Sequence, residues 1–154
     1  DALREDFGGS STLTEPAPDP QPSKKPEPIQ DILAPISLGE LIDKITILQI
    51  KTQHLQGTAL ENVKKELKAL VTTLSDLQLN IDTMLIQRLK EINQDLWQIE
   101  DNIRHHESQK NFGKTFIQLA RSVYQQNDRR AAIKKEINTT YGSTFIEEKS
   151  YQQY

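Results

Sequence analysis

Residues 60–77, LENVKKELKALVTTLSDL, place Leu60, Val63, Leu67, Leu70, Leu74 and Leu77 alternately three and four residues apart. This alternation keeps all six on one stripe of a helix and forms a heptad seam, whereas a strand would need an apolar residue at every second position. Thr58 and Glu61, just ahead of the stripe, have the spacing of a capping box, in which hydroxyl and carboxylate satisfy each other's free backbone amides.

The same periodicity extends both ways. Upstream, Ser37 and Glu40 form a second capping-box pair, and Leu38, Leu41, Ile42, Ile45, Leu48 and Leu55 follow at helical spacing up to Gly57. Downstream, beyond a break at Asn80 to Asp82, Leu85, Leu89, Ile92, Leu96, Ile99 and Ile103 predict a third helix ending before Asn111 to Gly113. A fourth carries Phe116, Leu119, Ala120, Val123, Ile133 and Ile137 and closes near Gly142. Only Ser143 to Ile146 alternates like a strand. Helices of about 20 to 28 residues, roughly 30 to 42 Å long, must fold back on one another when their connections are short. The expected fold is all-α: an elongated antiparallel bundle of about four helices with coiled-coil-like seams.

All seven prolines fall before residue 36, and residues 1–36 carry seven acidic and three basic side chains. Repeated Pro-x-Pro steps with little apolar area cannot offset the entropy of ordering a chain, so residues 1–36 are expected to be a disordered linker and 37–154 the helical domain. Ile29, Ile32, Leu33 and Ile36 are expected to lie against that domain as a short apolar approach. The chain opens on Asp1 rather than Met, which suggests an internal or processed start.

Residues 37–154 hold 15 acidic and 16 basic side chains. Near-zero charge argues against nucleic acid and anionic membranes, which need a concentrated positive field. Without cysteine, thiolate metal sites and disulfides are excluded. His54, His105 and His106 lack the three- or four-residue spacing of a metal pair on a helix. No long apolar run or basic leader is present, so a soluble cytoplasmic protein without membrane insertion is expected.

The polar residues depart from a plain bundle at three places. The fourth helix interrupts its stripe with Gln125, Gln126, Asn127, Asp128, Arg129 and Arg130, and Asn127 falls on the seam, where an amide commonly fixes register. Glu40, Asp43 and Lys44 are interleaved with Leu41, Ile42 and Ile45 on the first helix. Asn93, Trp97, Glu100, Asp101 and Arg104 share one face of the third. Taken singly, each charged residue reads as part of a solvated face, and Trp97 reads as core. Taken together, the clusters can meet as one network in which Arg129 or Arg130 bridges carboxylates bidentately.

Four strings carry a resemblance: Ser37-Leu-Gly-Glu-Leu-Ile-Asp-Lys-Ile-Thr-Ile-Leu48, Asn93-x-x-Leu-Trp-x-Ile-Glu-Asp-x-Ile-Arg104, Ala120-Arg-Ser-Val-Tyr-x-x-Asn-Asp-Arg-Arg-Ala131 and Glu147-Glu-Lys-Ser-Tyr151. Together they resemble an uncharacterised bacterial all-helical domain-of-unknown-function family over about residues 36–151. The resemblance implies a bacterial protein in a glycosylation or surface-polysaccharide context, since some members occur with glycosyltransferase or tetratricopeptide-repeat regions. It implies no catalytic residues. The Glu-Leu-Ile-Asp-Lys-Ile string is only superficially similar to helical chorismate mutases, because the first helix lacks the arginines their dianionic substrate requires.

Two functions are compatible with these residues. The first is a non-catalytic interaction or self-association module, without cofactor, tethered by the linker to a larger protein. Its partners would be proteins, a second copy among them, met through the seams of the second and third helices (Leu67, Leu70, Leu74, Leu89, Leu96 and Ile99). The alternative is a magnesium-dependent hydrolase or phosphate-binding domain, similar in type to all-α nucleotide pyrophosphohydrolases. Glu40, Asp43, Glu100, Asp101 and Asp128 would hold the metal, with Arg129 and Arg130 facing the phosphate.

Overall fold

The computed structural model describes residues 26–154; the rest of the expected linker, through residue 25, lies outside the described residues. Residues 26–37 form no regular element. Ile29, Ile32 and Leu33 are 81%, 83% and 93% exposed.

Four helices follow: α1 (Leu38–His54), α2 (Gly57–Asp76), α3 (Thr83–Ser108) and α4 (Lys114–Thr140). The described residues contain no strand, and Ser143 to Ile146 is irregular. The fold is all-α. No helix among the described residues is long and apolar enough to cross a membrane.

The helix ends show where local rules hold. Ser37 Oγ accepts the Glu40 backbone N–H at 3.1 Å, so half of the first capping box forms. The other half is lost because the Glu40 carboxylate accepts from Lys134 on α4 instead. The second box does not form: α2 begins at Gly57, one residue before Thr58, with no side-chain cap, and Glu61 pairs with Lys64 at 3.4 Å. Gly57, with φ at 59°, takes the left-handed turn between α1 and α2. At the other end of the chain, Gly142 has φ 65° and lets Ser143 N–H reach back to Asn138 O at 2.8 Å, closing α4.

α1 is the hub. α3 and α4 pack on each other and on α1, whereas α2 approaches α1 alone. The seams of α2 and α3 therefore do not face each other within the chain: Leu67, Leu70 and Leu74 of α2 are half-buried, whereas Leu89 and Leu96 of α3 are buried. Leu38 and Ile42 of α1, Leu85 and Leu89 of α3, and Ile133 and Ile137 of α4 form the main core, with Leu74 of α2 against its edge. α1 and α4 come unusually close at Gly39, where a Cβ would stand 2.6 Å from the Lys134 carbonyl oxygen. Gly39 N–H donates to Asn138 Oδ1 at 2.7 Å, which fixes the register of the two helices. Tyr141 Oη accepts from Asp82 N–H at 2.7 Å and ties the α2–α3 connection to the end of α4.

Candidate functional site

One helical turn beyond Gly39, α1 turns a carboxylate into the bundle. Asp43 is fully buried. Arg130 of α4 grips it with both arms of its fork: Nε donates to Oδ1 at 2.9 Å and Nη2 donates to Oδ2. Asn93 of α3 donates from Nδ2 to Asp43 Oδ1 at 2.9 Å and to Thr46 Oγ1 at 3.0 Å. Thr46 passes its own hydroxyl hydrogen to the Asp43 carbonyl oxygen at 2.8 Å. Three helices thus converge on one carboxylate, and the bidentate pair adds directional as well as electrostatic restraint.

A second tier lies beside it. Lys134 Nζ donates to Glu40 Oε2 at 2.5 Å and to Glu147 Oε2 at 2.7 Å, and stands 3.8 Å from Asp43 Oδ2. Arg130 Nη1 also donates to Asn127 Oδ1 at 3.4 Å. Burial works against the charge on Lys134, but its bonds to Glu147 and Glu40 outweigh that penalty and raise its pKa. The hydrogen bond to Asp43 likewise raises that of Arg130. Lys134 in turn holds the Glu147 carboxyl below its usual range. The cavity here, about 250 Å³, is walled by Glu40, Asn127, Arg130, Lys134, Glu147 and Lys149. Its cations, Arg130, Lys134 and Lys149, are matched by Glu40, Glu147 and the adjoining Asp43, so no net charge is left to attract an ion.

The larger cavity, about 640 Å³, lies where residues 149–154 pass over α4. Tyr124, Tyr151 and Tyr154 line it with Val123, Asn127, Asp128, Lys149 and Gln152. The rings of Tyr124 and Tyr154 meet nearly edge to face, 4.8 Å between centroids. Tyr154 Oη donates to Asp128 Oδ2 at 2.8 Å, and this bond raises the tyrosine pKa. Lys149 Nζ sits 5.7 Å above the Tyr151 ring and 3.4 Å from Glu147 Oε1. The segment is thus held at both ends, by Glu147 on Lys134 and by Tyr154 on Asp128.

Of the residues picked out from sequence, the structure brings together Glu40, Asp43, Asn93, Asn127 and Arg130. Asp128 belongs to the tyrosine-lined groove instead. Arg129 is exposed on the other side of α4, in a shallow groove with Arg88 and Asp95. Lys44 faces α2 and lies 3.8 Å from Glu66. Trp97 is half-buried and stacks on His54, with centroids 4.6 Å apart and planes at 19°. Glu100, Asp101 and Arg104 are exposed farther along α3.

The five carboxylates considered for magnesium are therefore distributed over separate sites. Asp43 is spent on Arg130 and Glu40 on Lys134, and among the described residues no three His, Asp or Glu side chains converge as a metal-ligand set.

Thr46, Lys134, Glu147 and the three tyrosines were not identified from the pattern. Lys134 and Glu147 lie in or beside the strings that carry the resemblance, and Thr46 follows Asp43 by three residues, so weak signals existed. Tyr124 and Tyr151 stand in those strings too, but residues 143–154 have no periodicity that would join Tyr151 and Tyr154 to Tyr124 of α4.

No curated protein and no solved structure matches the chain. Residues 32–154, which contain every residue of the network and of the groove, match the family model described as "Family of unknown function (DUF6165)", and the chain belongs to that family.

Proposed function

We propose that this chain is a non-catalytic helical interaction module, tethered through its proline-rich segment to a larger bacterial protein, with the tyrosine-lined groove as its docking site. The observation that supports the reading is the groove itself: Tyr124 and Asn127 of α4 face Tyr151, Gln152 and Tyr154 of a segment pinned through Glu147 to the ion-pair network. Tyrosine offers large contact area with only two side-chain torsions to freeze, and its hydroxyl can meet a backbone group. An extended peptide fits this chemistry, because its carbonyls and amides have no internal partners. The balanced network next to it serves as the support that keeps the groove in shape. The glycosylation setting implied by the resemblance belongs to the same reading.

Selection of random peptides on the immobilised chain, followed by calorimetry, tests it. Selected peptides should lose at least about tenfold in affinity on Tyr124→Ala and on Tyr151→Ala, as expected when a contact residue is truncated. Peptides that bind equally well to both variants, or a selection that enriches none, would overturn it.

A further inference from the structure

The tyrosine-lined groove holds more hydrogen-bond donors than the chain itself satisfies. Asn127 Oδ1 accepts from Arg130, which orients the amide and leaves Nδ2 without a partner among the described residues. Tyr124 Oη accepts from Arg121 Nε at 3.4 Å, so its own hydrogen stays unspent. Tyr151 is 65% exposed, and its hydroxyl has no partner among the described residues. Unspent acceptors are fewer: Asp128 has one oxygen engaged by Tyr154, and Gln152 keeps its carbonyl oxygen. The ligand that suits such a groove brings carbonyl oxygens in excess of N–H groups, together with flat apolar surface for the rings.

An ordinary peptide carries one N–H for each carbonyl. Proline has none, so prolines at alternate positions halve the donors and keep every acceptor. Such a peptide also holds the polyproline II form before it binds, and little entropy is lost on docking. With three residues per turn, alternate prolines fall on all three edges of that helix, so a pyrrolidine ring meets the tyrosines whichever edge is turned to them. The chain spells a ligand of this kind: Pro16-Ala-Pro-Asp-Pro-Gln-Pro22 has proline at every second position. The run is known by its sequence and lies outside the described residues.

We infer that the groove binds an extended peptide with proline at alternate positions, of the kind that residues 16–22 spell. The pyrrolidine rings lie against the tyrosine rings, and the peptide carbonyls accept from Asn127 Nδ2 and from the hydroxyls of Tyr124 and Tyr151. The N–H groups of the intervening residues are left for Asp128 and Gln152. This rests on the reading of the groove as a peptide site and deepens it by naming the class of peptide.

A free peptide copying residues 14–23 is titrated by calorimetry into the full chain. The titration is repeated on a full chain with Pro16, Pro18, Pro20 and Pro22 all replaced by alanine, so that its own run does not compete. Saturable one-to-one binding is expected, at the least to the second chain. The same peptide with alanine at its four prolines should bind at least about tenfold more weakly. Tyr151→Phe, which removes only an exposed hydroxyl, should weaken binding about twofold to tenfold. In amide NMR spectra the Asn127 side-chain signal should shift as peptide is added. No binding to either chain, equal affinity of the alanine peptide, or binding that leaves the Asn127 signal in place would overturn the inference. If random selection instead enriches peptides without alternate prolines, and these are weakened by Tyr124→Ala and Tyr151→Ala, the peptide-site reading stands and this inference falls.

Discussion

Arg130 closes its fork on the fully buried carboxylate of Asp43, joining α4 to α1 at the point where Asn93 also brings in α3. Nearby contacts depend on this pair. Lys134 is placed against Asp43 and Glu40, Glu147 closes on Lys134, and the segment that walls the tyrosine-lined groove follows Glu147.

Removing either member should unfold the domain at markedly lower denaturant. Asp43→Asn leaves the half-buried Arg130 without its carboxylate, while Lys134 keeps Glu40 and Glu147, and should cost about 3–5 kcal/mol in urea unfolding. Arg130→Lys keeps the charge but loses one arm of the fork, so its loss should be smaller than that of Arg130→Ala. A double replacement, Asp43→Leu with Arg130→Met, should recover most of the loss, because no uncompensated charge remains.

Gly39→Ala probes the α1–α4 approach. The new methyl group meets backbone, the Lys134 carbonyl oxygen at 2.6 Å, which cannot swing aside as a side chain would. The helices must separate and lengthen the Gly39 to Asn138 hydrogen bond, at a cost of about 1–3 kcal/mol. Thermal unfolding gives the measurement; an unchanged midpoint would mean that the contact is looser than described.

The hub arrangement predicts unequal leucines. Leu89, fully buried between α1 and α4, should lose about 2–5 kcal/mol on Leu89→Ala. Leu70 of α2 is only half-buried, and Leu70→Ala should cost clearly less. Equal losses would indicate that α2 has a second packing partner.

Acid should loosen the end of the chain before the bundle. The folded Glu147 carboxyl, held down by Lys134, binds its proton more weakly than in the unfolded chain, where the ordinary value is about 4.3. Stability from this contact is complete above that value and is lost as pH falls through the lowered folded one. Amide signals of residues 147–154 should therefore shift below about pH 4.3 while those of α1 stay in place. Glu147→Gln should remove the dependence and leave the segment loose at neutral pH.

Lys110 closes α3 in the left-handed region, with φ at 53° and Asn111 N–H bonded to His106 O at 3.0 Å. A side chain there is strained, so Lys110→Gly should raise stability by up to about 1 kcal/mol, despite the loss of the exposed pair with Glu107.

The helices were legible because their information is local. The heptad alternation of Leu60 to Leu77, the Ser37 cap and the breaks near Gly57, Asn111 and Gly142 all act within a few residues, and a seam shows its period whatever it packs against. The same locality explains the failures at the helix ends. Glu40 has capping-box spacing, but a buried lysine on α4 takes its carboxylate, because a buried charge needs its partner more than a neutral amide does.

Sequence by itself thus determined the number and kind of elements and the polar interruptions worth following. Only the tertiary structure decided that Arg130 rather than Arg129 reaches Asp43, since neighbouring residues on a helix point about 100° apart and the rotation of α4 about its axis is set by Gly39, Ile133 and Ile137 packing. It also decided that Glu100, Asp101 and Asp128 stand apart from Asp43, and that three tyrosines from α4 and an aperiodic end share one groove. Such pairings join residues tens of positions apart, and helical periodicity records which face a residue occupies but not what lies opposite that face.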